Sequence, residues 1–127
     1  IIEIGDVNDW SYNFYSASLE LKNLPRLESI AFGKHSFDDC TTLALENLPE
    51  LQSIHFGMNS FAFAAVDSSS LIMRNLPKLK WFTVDNKYSE TLQNVHRVVC
   101  ENIPSLKSLT ITSTRAFSNV KDFSVKG

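Results

Sequence analysis

The tripeptide Asn-Leu-Pro occurs at residues 23–25, 47–49 and 75–77 and returns as Asn-Ile-Pro at 102–104, so successive copies lie 24, 28 and 27 residues apart. Self-similarity at such a period restricts a chain to stacked repeat architectures, because one unit cannot bury its own apolar face and its neighbours must do so. The frame around each copy is apolar at matching places. From 43 to 61 these are Leu43, Leu45, Leu48, Leu51, Ile54, Phe56 and Phe61, punctuated by Asn47, Pro49, Gly57 and Asn59. The copy before has Leu19, Leu21, Leu24, Leu27, Ile30, Phe32 and Phe37. The copy after has Leu71, Met73, Leu76, Leu79, Phe82 and Val84, and the last has Val98, Cys100, Ile103, Leu106, Leu109 and Ile111. Ile2-Glu3-Ile4-Gly5 matches Ile54-His55-Phe56-Gly57, and Phe123-Ser124-Val125 matches Leu43-Ala44-Leu45, which brings each strand-like unit to five copies.

Apolar spacings of 2, 3, 3, 3 and 2 within a copy fit neither a helix stripe nor one long strand. The pairs Leu43/Leu45 and Ile54/Phe56 predict two short strands per copy, each sending alternate residues inward. Asn-Leu-Pro between them forbids a helix, since Pro lacks an N–H and drives its predecessor to extended geometry. The expected fold is mainly β with little helix: a single solenoid over 1–127, about five coils, with parallel strands on two faces. The repeated Asn23, Asn47, Asn75 and Asn102 form a structural ladder, expected to turn inward and satisfy corner backbone groups.

The stretch Leu51, Ile54, Phe56, Asn59, Phe61 reads L-x-x-I-x-F-x-x-N-x-F, which resembles the leucine-rich repeat. Gly33, Ser36, Phe37 and Cys40 resemble the surface-antigen (BspA-like) branch of that family, found on bacterial and protist cell surfaces. The position of Asn59 is held by His35, Lys87 and Thr114 in the other full copies. The resemblance implies an extracellular or cell-surface location and protein or glycan recognition on the outward face of the repeat sheet. It also implies that the strand containing Ile54 and Phe56 lines the concave side.

Outward positions of that strand form three rows: Glu3, Ala31, His55, Thr83, Thr110; Ser29, Ser53, Trp81, Ser108; and Gly5, Gly33, Gly57, Asp85, Thr112. The candidate contact patch is His55, Trp81, Thr83, Asp85 and Thr110, with Trp81 as anchor, because tryptophan at a patch centre is a favoured hot spot. Trp81 covering a local gap in the surface is the competing reading. On the other strand the outward row Lys22, Glu46, Arg74, Glu101, Lys126 alternates in sign at every copy, and Arg26, Glu50 and Lys78 alternate after the prolines. Opposite charges side by side on neighbouring strands lock register. Copies are longer in one place: Ala62 to Ser70 and Ser89 to Arg97 are additions on one edge, read either as binding loops or as tolerated drift. Serines 68–70 read as loop filler.

Apolar residues make up 43% and charged residues 20% of the 127, which is globular composition, and no apolar run approaches the roughly 20 residues of a membrane span. A net charge of −2 and a pI near 5.9, with every basic row interleaved by Glu, argue against nucleic acid. Cys40 and Cys100 have no zinc-ligand spacing and read as thiols packed like small apolar groups. Asp38-Asp39 reads as a solvated pair. No phosphate loop, nucleophile elbow or Ser-His-Asp constellation is present, so no enzymatic activity, metal or cofactor is expected. Without an initiator Met, and with strand-like pattern at both ends, the sequence reads as a processed or excised piece. Two functions stay open: recognition of a protein or glycan partner, or self-assembly with other copies into a filament or lattice.

Overall fold

The computed structural model of the chain describes residues 2–4, 18–33, 40–57, 60–61, 63, 66, 68–84, 91–105, 108–111, 120 and 122–126. Among these residues there are ten strands and no helix: β1 (Ile2–Ile4), β2 (Leu19–Lys22), β3 (Ser29–Phe32), β4 (Thr42–Glu46), β5 (Ser53–Phe56), β6 (Ser70–Arg74), β7 (Trp81–Val84), β8 (Arg97–Glu101), β9 (Ser108–Ile111) and β10 (Asp122–Lys126). Odd-numbered strands form one sheet in the order β1-β3-β5-β7-β9, and even-numbered strands form a second in the order β10-β8-β6-β4-β2. Every pairing is parallel. The chain therefore passes from sheet to sheet at each strand, a solenoid-like course. The crossover that parallel pairing demands is supplied by the opposite strand instead of a helix.

Register follows the repeat. Ile30 pairs with Ile54, Ile54 with Phe82 and Phe82 with Leu109 in the first sheet, while Leu43 pairs with Leu71 and Leu71 with Val98 in the second. A slip of one residue would turn each apolar set to solvent, so the buried side chains hold the register. Between the sheets Phe32 and Phe56 stack at 5.2 Å, and Phe56 and Phe82 lie 5.2 Å apart, one ring per repeat. Phe61 meets Phe32 and Phe56 edge-on at 4.6 and 5.9 Å.

The corner after β2, β4, β6 and β8 has a defined cause. Asn23, Asn47, Asn75 and Asn102 all take left-handed backbone, with φ of 57°, 56°, 55° and 55°. Asparagine tolerates that region better than other residues bearing a Cβ. The reversal swings Leu48 and Leu76 fully into the core. A β-turn follows, with Pro at its second place, closed by Leu51 N–H to Leu48 C=O and by Leu79 N–H to Leu76 C=O, both at 3.3 Å. The asparagine side chains do not turn inward as the sequence led us to expect. All four are exposed, because the left-handed residue leaves its Cβ on the solvent side of the corner. Their backbone N–H groups extend the sheet instead, Asn47 N–H to Arg74 C=O at 3.0 Å and Asn75 N–H to Glu101 C=O at 3.0 Å.

The long segments after Phe61 and before β8 enlarge the core. Phe63, Leu92 and Val95 are buried, and Leu92 N–H reaches Phe61 C=O at 2.8 Å. Phe61, Phe63 and Leu92 hold positive φ, a strained region for such side chains that their packing sustains. Ser69 and Ser70 are buried, so the reading of serines 68–70 as filler fails for both. Ser69 Oγ donates to Asn94 C=O at 3.1 Å and lies 3.1 Å from His96 Nδ1, while it accepts His96 N–H at 3.0 Å. Asn94 Nδ2 donates to Phe63 C=O at 3.2 Å, tying one addition to the other. A buried hydroxyl with three partners is the condition under which burial of a polar group is tolerated.

Cys40 and Cys100 are free thiols. Cys40 is buried and donates to Thr42 C=O at 3.0 Å. Burial pushes the half-buried Cys100 thiol pKa up.

Candidate functional site

Alternation along β3, β5 and β7 buries Ile30, Phe32, Ile54, Phe56, Phe82 and Val84 and leaves the residues between them facing out. The register then sets Ala31, His55 and Thr83 in one row and Ser29, Ser53 and Trp81 in the next. Backbone pairing adds Glu3 to the first row through Ala31, Thr110 to the first through Thr83, and Ser108 to the second through Trp81. Of the candidate patch, His55, Trp81 and Thr83 are brought together, Thr110 is placed beside them by register, and Asp85 lies outside the described residues. His35, Asp38, Asp39, Asn59, Lys87 and Thr114 lie outside them too.

The patch is a flat, hydroxyl-rich surface with one large ring. Trp81 is 46% exposed although it occupies the sheet interior, with β5 on one side and β9 on the other. Lys80 Nζ sits 5.8 Å from its ring centre, within reach of a cation–π contact. Two strands' worth of chemistry meet where His55 Nδ1 and Thr83 Oγ1 approach to 2.7 Å. This bond fixes the imidazole across β5 and β7, and the partner nitrogen can donate or accept according to tautomer.

The outward row of the second sheet is a continuous ion-pair chain. Arg74 Nη1 donates to Glu46 Oε1 at 3.2 Å and Arg74 Nε to Glu101 Oε2 at 3.1 Å, and Lys22 Nζ lies 3.6 Å from Glu46 Oε2. Lys126 is placed beside Glu101 by the β8–β10 register. Lys78 Nζ and Glu50 Oε2 pair at 2.7 Å in the row after the prolines. The row next to the ion pairs, Ala44, Ile72 and Val99, also points away from the core. Ala44 and Val99 are nonetheless buried, a site that the alternating pattern does not reveal.

A further feature escaped the sequence. The four left-handed asparagines and the prolines two residues on line a shallow groove of about 440 Å³ that runs across the repeats. Its floor is an amide chain: Asn47 Nδ2 donates to Asn23 Oδ1 at 3.0 Å, Asn75 to Asn47 at 2.8 Å, and Asn102 to Asn75 at 3.1 Å. The signal available beforehand was the same left-handed-tolerant residue after β2, β4, β6 and β8.

No protein-family model, curated protein or solved structure matches the chain. Among the described residues no group of three or more His, Cys, Asp and Glu side chains could hold a metal ion, and no helix is long and apolar enough to cross a membrane.

Proposed function

We propose that the chain is a leucine-rich-repeat solenoid of about five coils that acts as a non-enzymatic recognition module. It holds a protein or glycan partner on the outward face of β3, β5 and β7. The single observation that carries this reading is Trp81, half-exposed on a strand interior to its sheet beside the His55–Thr83 pair. A large ring held rigid on a flat sheet contributes contact area with little loss of side-chain freedom on binding. Hydroxyls of Ser29, Ser53 and Thr83 around it supply hydrogen bonds without charge, and they suit a polar, uncharged or mixed surface. The reading is tested by screening glycan and protein arrays with the parent chain and with Trp81→Ala. Ligands lost from Trp81→Ala while far-UV circular dichroism is unchanged support it, and equal affinity of both proteins for every ligand found refutes it.

Self-assembly is a second reading, favoured by apolar exposure on the outer strand and corner of the second sheet. Val125 on β10 is 66% exposed, whereas Leu45 and Met73 in equivalent places are buried, and Leu24, beyond β2, is 36% exposed, whereas its equivalents Leu48 and Leu76 are fully buried. An outer strand that nothing else covers can pair with another chain. Light scattering across a concentration series separates the readings: growth into rods or sheets supports assembly, and a constant 14.3 kDa particle leaves recognition.

A further inference from the structure

We propose that β10 is a self-recognition edge: it takes β10 of a second copy, antiparallel and centred on Ser124, to form a closed two-fold dimer. This dimer deepens the assembly reading. It rests on the same outer-strand exposure, and it closes on itself where rods or sheets would grow.

Among the described strands none lies beyond β10 in its sheet, and Val125 on it is 66% exposed. The open side of β10 carries the backbone groups that such a pairing uses. Lys126 C=O accepts Asn102 N–H at 2.9 Å, so the peptide groups of Lys126 point back toward β8. Directions alternate along a strand, which turns the N–H and C=O of Val125 and of Phe123 to the open side. A two-fold axis at Ser124 sets Phe123 opposite Val125 of the other copy, and each such pair exchanges both backbone bonds.

Charge selects a second copy in this orientation. Arg74 bonds Glu101 at 3.1 Å, and register places Lys126 beside Glu101 and Asp122 beside Arg97. Antiparallel pairing about Ser124 puts Asp122 of the second copy opposite Lys126, with Arg97 of that copy next in line. The alternation of sign thus runs unbroken from one copy into the other. Continuing the repeat head to tail, with β10 parallel to β2, sets Lys126 beside Lys22 instead, and like charges side by side repel.

The other outer strands match themselves less well. Pairing of β1 about its middle residue sets Glu3 against Glu3, and pairing of β2 about Glu20 sets that carboxylate against itself. About Leu21 the pairing of β2 ends at Lys22, because Asn23 leaves extended geometry with φ of 57°. β9 reads Ser-Leu-Thr-Ile and carries no charge to fix a register.

The test is sedimentation equilibrium of the full chain over a concentration series at low salt. A monomer–dimer equilibrium that ends at twice 14.3 kDa is expected. Val125→Pro removes an N–H that β8 does not use, so far-UV circular dichroism should hold while the dimer weakens about tenfold or more. Asp122→Lys and Lys126→Asp should each weaken self-association about tenfold, and an equimolar mixture of the two should regain it. Each reversal also disturbs pairing with β8, and only contact between copies lets the mixture recover. Ser124→Cys should form a disulfide between copies at position 124 under mild oxidation, because a non-hydrogen-bonded pair brings Cα atoms to about 4.5 Å. A monomer at every concentration overturns the dimer and the assembly reading together, whereas rods or sheets overturn the dimer alone. A folded Val125→Pro that still dimerises fully, a mixture that stays monomeric, or no disulfide at 124 would each place the contact elsewhere and overturn it. The Trp81 face lies on the other sheet and stands or falls separately.

Discussion

Asn75 donates a side-chain N–H to Asn47 at 2.8 Å across 28 residues of sequence, and both residues hold φ near 55°. Backbone strain and side-chain bonding thus coincide at one residue type, and the two contributions can be separated by substitution. Asn47→Ala places a Cβ in the left-handed region without the amide and should cost about 1–2 kcal/mol. Asn47→Gly relieves the backbone and should cost less than the alanine. Urea unfolding of the two variants checks the order. A glycine variant less stable than the alanine would contradict left-handed backbone strain as the cause of the alanine's loss.

Arg74 stands between two carboxylates, so its replacement tests the ion-pair chain. Arg74→Glu sets three like charges in a row and should destabilise by about 1–2 kcal/mol at low salt, more than Arg74→Met does. Added salt should narrow that gap, because these groups are partly exposed and screened. A gap that is independent of salt would point to packing of the arginine stem.

Ser69 is buried among partners while Ser68 is exposed. Ser69→Ala removes the hydroxyl's bonds to Asn94 C=O and to His96 and should cost about 1–3 kcal/mol. Ser68→Ala should stay within about 0.5 kcal/mol. Chemical denaturation of both, side by side, gives the comparison.

Phe56 touches Phe32, Phe61 and Phe82 at once, so Phe56→Ala opens the middle of the core. The expected loss is about 3–5 kcal/mol, with Phe56→Leu well below that. Calorimetric melting of both variants tests it.

Burial holds the Cys100 thiol above its ordinary pKa. The folded chain therefore keeps this proton at pH values where the unfolded chain has released it. Stability from this source is complete below the ordinary thiol range and falls as pH rises through it toward the folded value. Cys100→Ala should flatten the alkaline limb of a stability–pH curve, and alkylation of Cys100 in the native protein should lag behind that in urea.

Much of the architecture was legible because two independent periodicities agreed. Leu43/Leu45 and Ile54/Phe56 gave strand spacing, and Asn-Leu-Pro gave the corner, so pairing of Ser53 with Trp81 and of Glu46 with Arg74 could be read from alignment alone. Side-chain direction at the corner was not legible. Asparagine announces a left-handed residue, but which way its amide points depends on where the next residue, Leu48, is pulled. Nor were the additions legible. Phe63, Leu92 and Val95 follow no period, and Ser69 is buried by a network whose partners lie about 25 residues further along the chain. Ala44 and Val99 are buried on an outward row, which alternation does not encode.

The parallel register is what places His55, Thr83 and Trp81 on one outward face, and nuclear Overhauser contacts in an isotope-labelled sample test it most directly. The account predicts cross-strand contacts between Ser53 and Trp81 and between His55 and Thr83, with Trp81 ring protons accessible to a soluble paramagnetic agent. A register displaced by one residue would turn Trp81 toward the core, and antiparallel contacts between β5 and β7 would break the parallel pairing; either result contradicts it.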